Sequence, residues 1–329
     1  MGWIAGKAVE KAKAYSLDCL ILDKLDDGVM CWLRLSTLFA AIITLGAVEP
    51  AVVTRVVPQG EALDLRSTGK LNLKAVPECS ALLASAKHPG VFWTLSDSGR
   101  RPEVVPVFAD GGLANGRGGV TLVGAKNFDW EALTADGEGN LIVADVGNNI
   151  STRKELSFYI FKEPDLFTKE ANEVRKVSFA WPDQVAFPDP DLSHDCEAAF
   201  FANGRIYLLT KHRRDTLTDL WCAEITPEGK QANLRKVARF DAQGMVTDAS
   251  ISPDGKALAI LTYRNIWVFR LPAKGEDFFN GPALFTLINP PVQSWQLEGC
   301  AWLNDHTLIV GSEQGDLYTI PLARLAEVK

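Results

Sequence analysis

An acidic residue opening a short apolar segment recurs five times along the chain. The copies are Glu78-Cys-Ser-Ala-Leu, Glu131-Ala-Leu-Thr-Ala, Glu197-Ala-Ala-Phe-Phe, Asp248-Ala-Ser-Ile-Ser and Glu298-Gly-Cys-Ala-Trp, at intervals of 53, 66, 51 and 50 residues. A repeat of this length constrains the fold strongly, because one unit cannot bury its own apolar face and must stack on the next. Turn residues follow the copies, as in Asp136-Gly-Glu-Gly-Asn140, Asn203-Gly204, Pro253-Asp-Gly255 and Asn304-Asp305; such turns join antiparallel strands. A second apolar run comes next: Val91–Leu95, Leu141–Ala144, Ile206–Thr210, Ala257–Thr262 and Thr307–Gly311. These runs are continuous rather than alternating, as in strands buried on both faces. Third strands are legible at Phe158–Phe161, Leu220–Glu224, Ile266–Arg270 and Leu317–Ile320, and fourth strands at Lys176–Trp181 and Leu234–Phe240.

Four antiparallel strands per unit predict an all-β chain folded as a β-propeller of five blades. Six would follow if residues 50–75 built a blade of their own. A β-sandwich leaves the period unexplained. The last unit lacks a fourth strand, so Val52–Val57 or Leu71–Ala75 is expected to supply it and close the ring.

Hydrophobic residues at 47% and charged residues at 23% suit a packed core. With 34 basic and 41 acidic side chains, the net charge of −7 excludes nucleic acid as the main partner. Four histidines leave little for a His-rich zinc site. The apolar run Leu35–Val48, preceded by Arg34 and ending in Leu45-Gly46-Ala47, has the length and flanks of a signal peptide. Its alternative is an uncleaved anchor. Met30 is the expected start, which makes residues 1–29 upstream read-through, 30–47 the signal peptide and 48–329 one propeller domain. The mature chain then has no membrane span, is exported to the periplasm or secreted, and is expected as a monomer. Its cysteines, Cys79, Cys196, Cys222 and Cys300, form no C-x-x-C pair. They are expected as buried thiols, although an oxidising compartment permits bridges.

First strands line a propeller's channel, so the repeated acids should ring one mouth. The second strands end on the same face, where Asp97, Asp145 with Asn148, Lys211, Tyr263 and Glu313 fall in register. Like charges held together are costly unless paired or bound to a cation. Three arrangements relieve that cost. Lys211, Arg153, Arg213 and Arg264 can pair with the acids. A hard cation, Ca²⁺ or another divalent ion, can be held by Glu78, Glu131, Asp145, Asn148, Glu197, Asp248 and Glu298. The acids can also accept backbone N–H groups from neighbouring blades. Candidates for acid–base work are Glu131, Glu197, His194 and Lys211. Asp97, Trp130, Arg153, Lys211, Tyr263 and Glu313 are candidate ligand contacts. Between the second and third units an insert ends Asp189-Pro-Asp-Leu-Ser-His-Asp195, with oxygen-bearing side chains alternating like half a calcium loop. G-x-S-x-G, G-x-x-x-x-G-K-[ST] and H-E-x-x-H are absent from the sequence, which removes the chemistries those motifs carry.

Phe128-Asp-Trp-Glu-Ala-Leu, then Leu141-Ile-Val-Ala-Asp-Val-Gly-Asn-Asn with Arg153, Thr210-Lys211 and Thr247-Asp-Ala-Ser-Ile-Ser-Pro-Asp-Gly255, resemble a group of uncharacterised exported bacterial β-propeller proteins. The likeness spans about residues 75–315. Asn148 stands where that group usually has Asp. More distantly the arrangement is similar to phytase-like and gluconolactonase-like propellers, which hold divalent metal at acidic channel mouths. The nearer resemblance implies fold and export and carries no activity; the acidic mouth points to an exported propeller that binds a small ligand with a divalent cation. Its enzymatic form would be a metal-assisted hydrolase of an ester, lactone or phosphoester. The alternative is a scaffold that binds protein or glycan and whose carboxylates are structural.

Overall fold

The computed structural model describes residues 49–328; the expected read-through segment and signal peptide lie outside them. Five small sheets ring an axis as the blades of a propeller. The first strands are Cys79–Ala84, Trp130–Ala135, Cys196–Ala202, Val246–Ile251 and Leu297–Asn304. Each packs against the next, and the fifth packs against the first. Antiparallel second and third strands follow outward in each blade.

Residue size explains this order. At the crowded axis the chain places Ala81, Ala132, Ala198, Ala199, Ala249 and Ala301, all buried. Farther out, where blades diverge, aromatic rings fill the wedge. Five apolar clusters result, one per pair of neighbouring blades. Between blades three and four, Phe240 meets Trp267 edge-on with ring centroids 5.1 Å apart. The four described cysteines are free and buried; burial pushes the Cys79 thiol up to about 12.

The N-terminal segment runs along the outer edges of three blades. Val52–Val53 pairs in parallel with Ala232–Asp241 of blade three. Leu63–Asp64 pairs in parallel with Ala283–Asn289 of blade four. Gly69–Lys70 then adds antiparallel to Asp316–Pro321 as the fourth strand of blade five. The strand that completes blade five therefore lies between the two segments expected to supply it. Val52–Val57 cannot serve because its first residues cover blade three. Leu71 N–H still donates to Gly315 O of blade five, but Leu71–Ala75 then closes into a turn rather than a strand, with Ala75 and Val76 N–H donating to Asn72 O. Residues 50–75 build no blade of their own, which removes the six-bladed alternative. Covered edges are closed to pairing with other chains.

Backbone meets backbone where blade five joins blade one. Lys70 N–H donates to Asp110 O at 2.9 Å. A Cβ on Gly69 would sit 2.6 Å from Asp110 C, and one on Gly111, whose φ is +87°, would sit 2.2 Å from Lys70 O. Gly116 has φ +65° but open space around it. Gly116→Ala should therefore cost about 1 kcal/mol of stability, the left-handed penalty alone. Gly111→Ala should cost roughly 3 kcal/mol or more, because the clash adds to that penalty. Denaturant melts of both variants check this; equal losses would contradict the close approach.

Candidate functional site

Every first strand begins with an irregularity, between Cys79 and Ala81, Trp130 and Ala132, Cys196 and Ala198, Val246 and Asp248, and Leu297 and Gly299. The residue left over each time is Ser80, Glu131, Glu197, Thr247 or Glu298. A bulge re-aims one side chain and locally ends pairing. In this register the repeat is a ring of three glutamates and two hydroxyls. Glu78 lies two residues before its blade's equivalent position, and Asp248 one residue after. Ser80 Oγ donates to Trp130 O and Thr247 Oγ1 to Leu297 O, at 2.8 and 2.6 Å, so both hydroxyls tie their blade to the next.

Two further positions surround this ring. Just before the first strands stand Glu78, Asp129, Asp195, Met245 and Gln296. Just after the second strands stand Asp97, Val146, Lys211, Tyr263 and Glu313. Backbone bonds hold the two sets together in four blades, through Asp97, Val146, Lys211 and Glu313 N–H to the carbonyls of Glu78, Asp129, Asp195 and Gln296.

The acids then separate into a compensated group and an uncompensated one. Lys211, fully buried, bonds Glu197 and donates to Tyr263 OH at 2.6 Å; Tyr263 OH donates to Glu298 Oε1 at 3.1 Å. Arg213 Nε donates to Asp195 Oδ2 at 2.7 Å, and its Nη2 lies 3.2 Å from Glu197 Oε1. Glu197 Oε2 is buried without a hydrogen-bond partner. Burial, and then the neighbouring Glu197, push Glu298 upward. Burial, and then Glu197, likewise raise the Tyr263 phenol.

On the opposite side of the mouth, carboxylate oxygens of Asp97, Asp129 and Glu131 lie within 4.8 Å of one another. Glu131 is 4% exposed. Among the described residues its carboxylate has neither a hydrogen bond nor an ion pair, and the largest charges acting on it are negative. Burial, then Glu197, Asp97, Glu298 and Asp129, hold it well above the usual carboxylate range. Burial and Asp97 push Asp129 up to about 7, and burial raises Asp97. Gly147 makes room for this group, since a Cβ there would fall 2.4 Å from Asp129 and 2.7 Å from Glu131.

Several candidates serve other purposes. Asp145 sits one residue before the mouth position, which Val146 occupies, and its carboxylate is 2.7 Å from Arg153 and accepts Asp129 N–H. Asn148 is spent on its own loop, accepting Arg153 N–H and donating to His194 O. Asp248 is buried between blades and accepts N–H from Ala249 and Cys300, the structural role the repeat allowed. Glu78 is half exposed and takes two bonds from Arg100. Trp130 is fully buried, its indole N–H on Lys126 O, so it is core rather than a ligand contact. Arg153 faces Asp145 and the Gly147 carbonyl, and Arg264 donates to backbone carbonyls, not to the acids. Tyr263 and Glu313 do face the mouth, where Glu313 adds to the charge acting on Glu298 and Asp97.

His194 is a clamp. Its Nδ1 lies 2.7 Å from Asp189 and its Nε2 3.0 Å from Asp183, and these carboxylates raise its pKa against burial. With both nitrogens engaged it is no free base. Asp189, which begins the calcium-loop-like run, turns its oxygens inward to Asp191 N–H, Ser193 N–H and Ser193 Oγ. The insert thus holds itself together.

Asp129 and Asp195 were not among the sequence candidates. The signal that marks them is D-x-E, in Asp129-Trp-Glu131 and Asp195-Cys-Glu197. Side chains two apart flank one bulge, so both acids reach the mouth.

No protein-family model matches the chain, and no curated protein does. Among solved structures it is similar to a chain in the crystal structure of a mitotic checkpoint complex, with 14% identity and a TM-score of 0.36 over 74% of this chain. The match spans 64% of the length of that chain. Likeness at this level carries nothing about function.

The raised acids set a direction for stability. A carboxyl whose folded pKa exceeds its unfolded value holds more protons when folded, so its contribution is full below about pH 4 and is lost as pH rises through the folded value. For Asp129 that value is about 7. His194, also raised, loses its contribution in the same direction. Asp189 and Asp219, held below the usual range by their hydrogen bonds against burial, act oppositely and only in acid. In EDTA the melting temperature should be highest near about pH 5 and fall towards pH 8. Asp129→Asn with Glu131→Gln should flatten that fall. A profile that rises from pH 5 to 8 would contradict this electrostatic account.

Proposed function

We propose that this β-propeller binds a hard divalent cation, Ca²⁺ best among the common ones, at Asp97, Asp129 and Glu131. In this reading the cation presents a small ligand to Glu197, Lys211 and Tyr263 across the mouth. The observation that carries it is Glu131, a buried carboxylate without a cationic or hydrogen-bonding partner among the described residues. Such a charge is destabilising unless protonated or bound to a cation. The donor set suits the ion. Two oxygens on one Ca²⁺ lie no farther apart than about 5 Å, and six to eight ligands leave positions for water and a ligand oxygen. The cluster's 4.8 Å limit satisfies that spacing. With no imidazole or thiolate in it, the set favours hard ions over Zn²⁺.

A cation there would polarise a carbonyl or phosphoryl oxygen, so hydrolysis of an ester, lactone or phosphoester is the reaction class proposed. From the chain itself, Lys211 has an N–H beyond those given to Glu197 and Tyr263 to offer a ligand oxygen, and Glu197 Oε2 offers a buried acceptor. The proposal extends to export, resting on the apolar run Leu35–Val48. A scaffold with purely structural acids accounts for Asp248, but leaves Glu131 unexplained.

The test is a thermal melt of the purified protein in EDTA and with Ca²⁺, Mg²⁺, Mn²⁺ or Zn²⁺. A ligand at 100 times its Kd adds about 2.7 kcal/mol, so Ca²⁺ should raise the melting temperature by roughly 5 °C. Asp97→Asn/Asp129→Asn/Glu131→Gln should melt above the wild type in EDTA, because repulsion is relieved, and should not respond to Ca²⁺. If no cation shifts the wild type and the variant melts lower, the acids are structural and the proposal fails.

A further inference from the structure

Beside the acidic mouth lies a concavity of opposite charge. It has a volume of about 690 Å³ and is walled by the 72–77 connection, the turn after Ser96, the 113–119 loop and residues 167–169. Lys74, Arg100, Arg101, Arg117 and Lys169 line it against a single acid, Glu103. In a chain of net charge −7 this is a local inversion. Arg100 is committed to Glu78, and Arg101 lies 3.8 Å from Glu103. Lys74, Arg117 and Lys169 are exposed, and among the described residues none has a carboxylate within ion-pair distance.

The cavity is also built. Asn115, nearly buried, donates through Nδ2 to Gly118 O at 2.8 Å and to Leu166 O at 3.0 Å. Its Oδ1 accepts from Arg117 N–H and Gly118 N–H. One side chain therefore locks the Arg117 loop to the segment that carries Phe167. Thr121 N–H donates to Lys169 O, fixing that segment against blade one. Phe167 is 62% exposed, and the Arg117 guanidinium stands 5.3 Å from its ring centroid.

We propose that this cavity is a second ligand site, for a ring-bearing small molecule that carries a phosphate or sulfate ester. The volume lies in the range of small-molecule sites and is far larger than an inorganic ion needs. Guanidinium and ammonium groups without carboxylate partners match a tetrahedral oxyanion. The Arg117–Phe167 pair offers a flat apolar and cationic platform for the ring. A preformed wall spares the ligand the cost of ordering it. The site does not depend on the cation proposed above, so it is tested with EDTA present.

The experiment is calorimetric titration of the whole protein with a hexose, the hexose 6-phosphate, the hexose 6-sulfate and inorganic phosphate, at low and moderate salt. At least one ester should bind about tenfold or more tightly than both the parent hexose and inorganic phosphate, a difference of about 1.4 kcal/mol. Which ester binds better assigns the source of the oxyanion. Binding should weaken as salt is added. Arg117→Glu/Lys169→Glu, at exposed positions, should lower affinity at least about tenfold without changing the melting temperature; Lys74→Glu gives an independent check if that pair folds poorly. Asn115→Ala should weaken binding with the charges intact. If no ester exceeds the hexose and inorganic phosphate, or the charge-reversed variants bind like the wild type, the proposal is overturned.

Discussion

The bulge at the head of every first strand decides what this propeller can do. Without it, the side chain in that place would continue the strand's alternation and point between blades, where apolar contacts rule. With it, one side chain per blade is turned to the axis. Two blades use the position for a hydroxyl that ties neighbouring sheets together, through Ser80 and Thr247. Three place a glutamate there, and the protein must then manage like charges in a space of low dielectric. It does so unevenly. Lys211 and Arg213 serve Glu197, and Tyr263 bridges towards Glu298, while Glu131 is left facing Asp97 and Asp129.

That asymmetry follows from the residue after each second strand. Blade three supplies Lys211 and blade four Tyr263, but blade two supplies Val146 and then Gly147, which bring no charge and leave room. Arg153, whose charge reaches Asp129, directs its guanidinium to Asp145 and the Gly147 carbonyl. The apolar frame keeps these groups where they are. Five inter-blade clusters and a ring completed by Gly69–Lys70 prevent the first strands from spreading to relieve the repulsion. A charge that can neither move away nor pair remains available to a proton or a cation.

The architecture was legible in the sequence because repeats of about fifty residues, continuous apolar runs and Gly- or Asn-containing turns all point the same way. The closing strand was harder. Gly69–Lys70 has no β-propensity, and only a close backbone approach to Asp110 and Gly111, invisible in sequence, selects it. Periodicity alone places Glu131, Glu197, Lys211 and Tyr263 at the channel mouth. Glu78, Asp145 and Asp248 were placed in the same set because acids one or two residues apart look equivalent to a repeat count, whereas a one-residue slip in a strand reverses the face. The partners that occupy His194 and the Trp130 indole, such as Asp183 and the Lys126 carbonyl, are set by tertiary packing and leave no mark in the sequence. Asp129 is invisible to a repeat of single acids; the D-x-E pair that flanks a bulge is what marks it.

The central claim is that Asp97, Asp129 and Glu131 share protons in place of a cation. It is tested most directly by counting protons released when Ca²⁺ is added, from titration heats in buffers of differing ionisation enthalpy. At pH 6 the account predicts saturable Ca²⁺ uptake with release of about one proton per ion, diminishing towards pH 9 as the carboxyls ionise on their own. Uptake without proton release at pH 6, or no uptake at any pH, would contradict it.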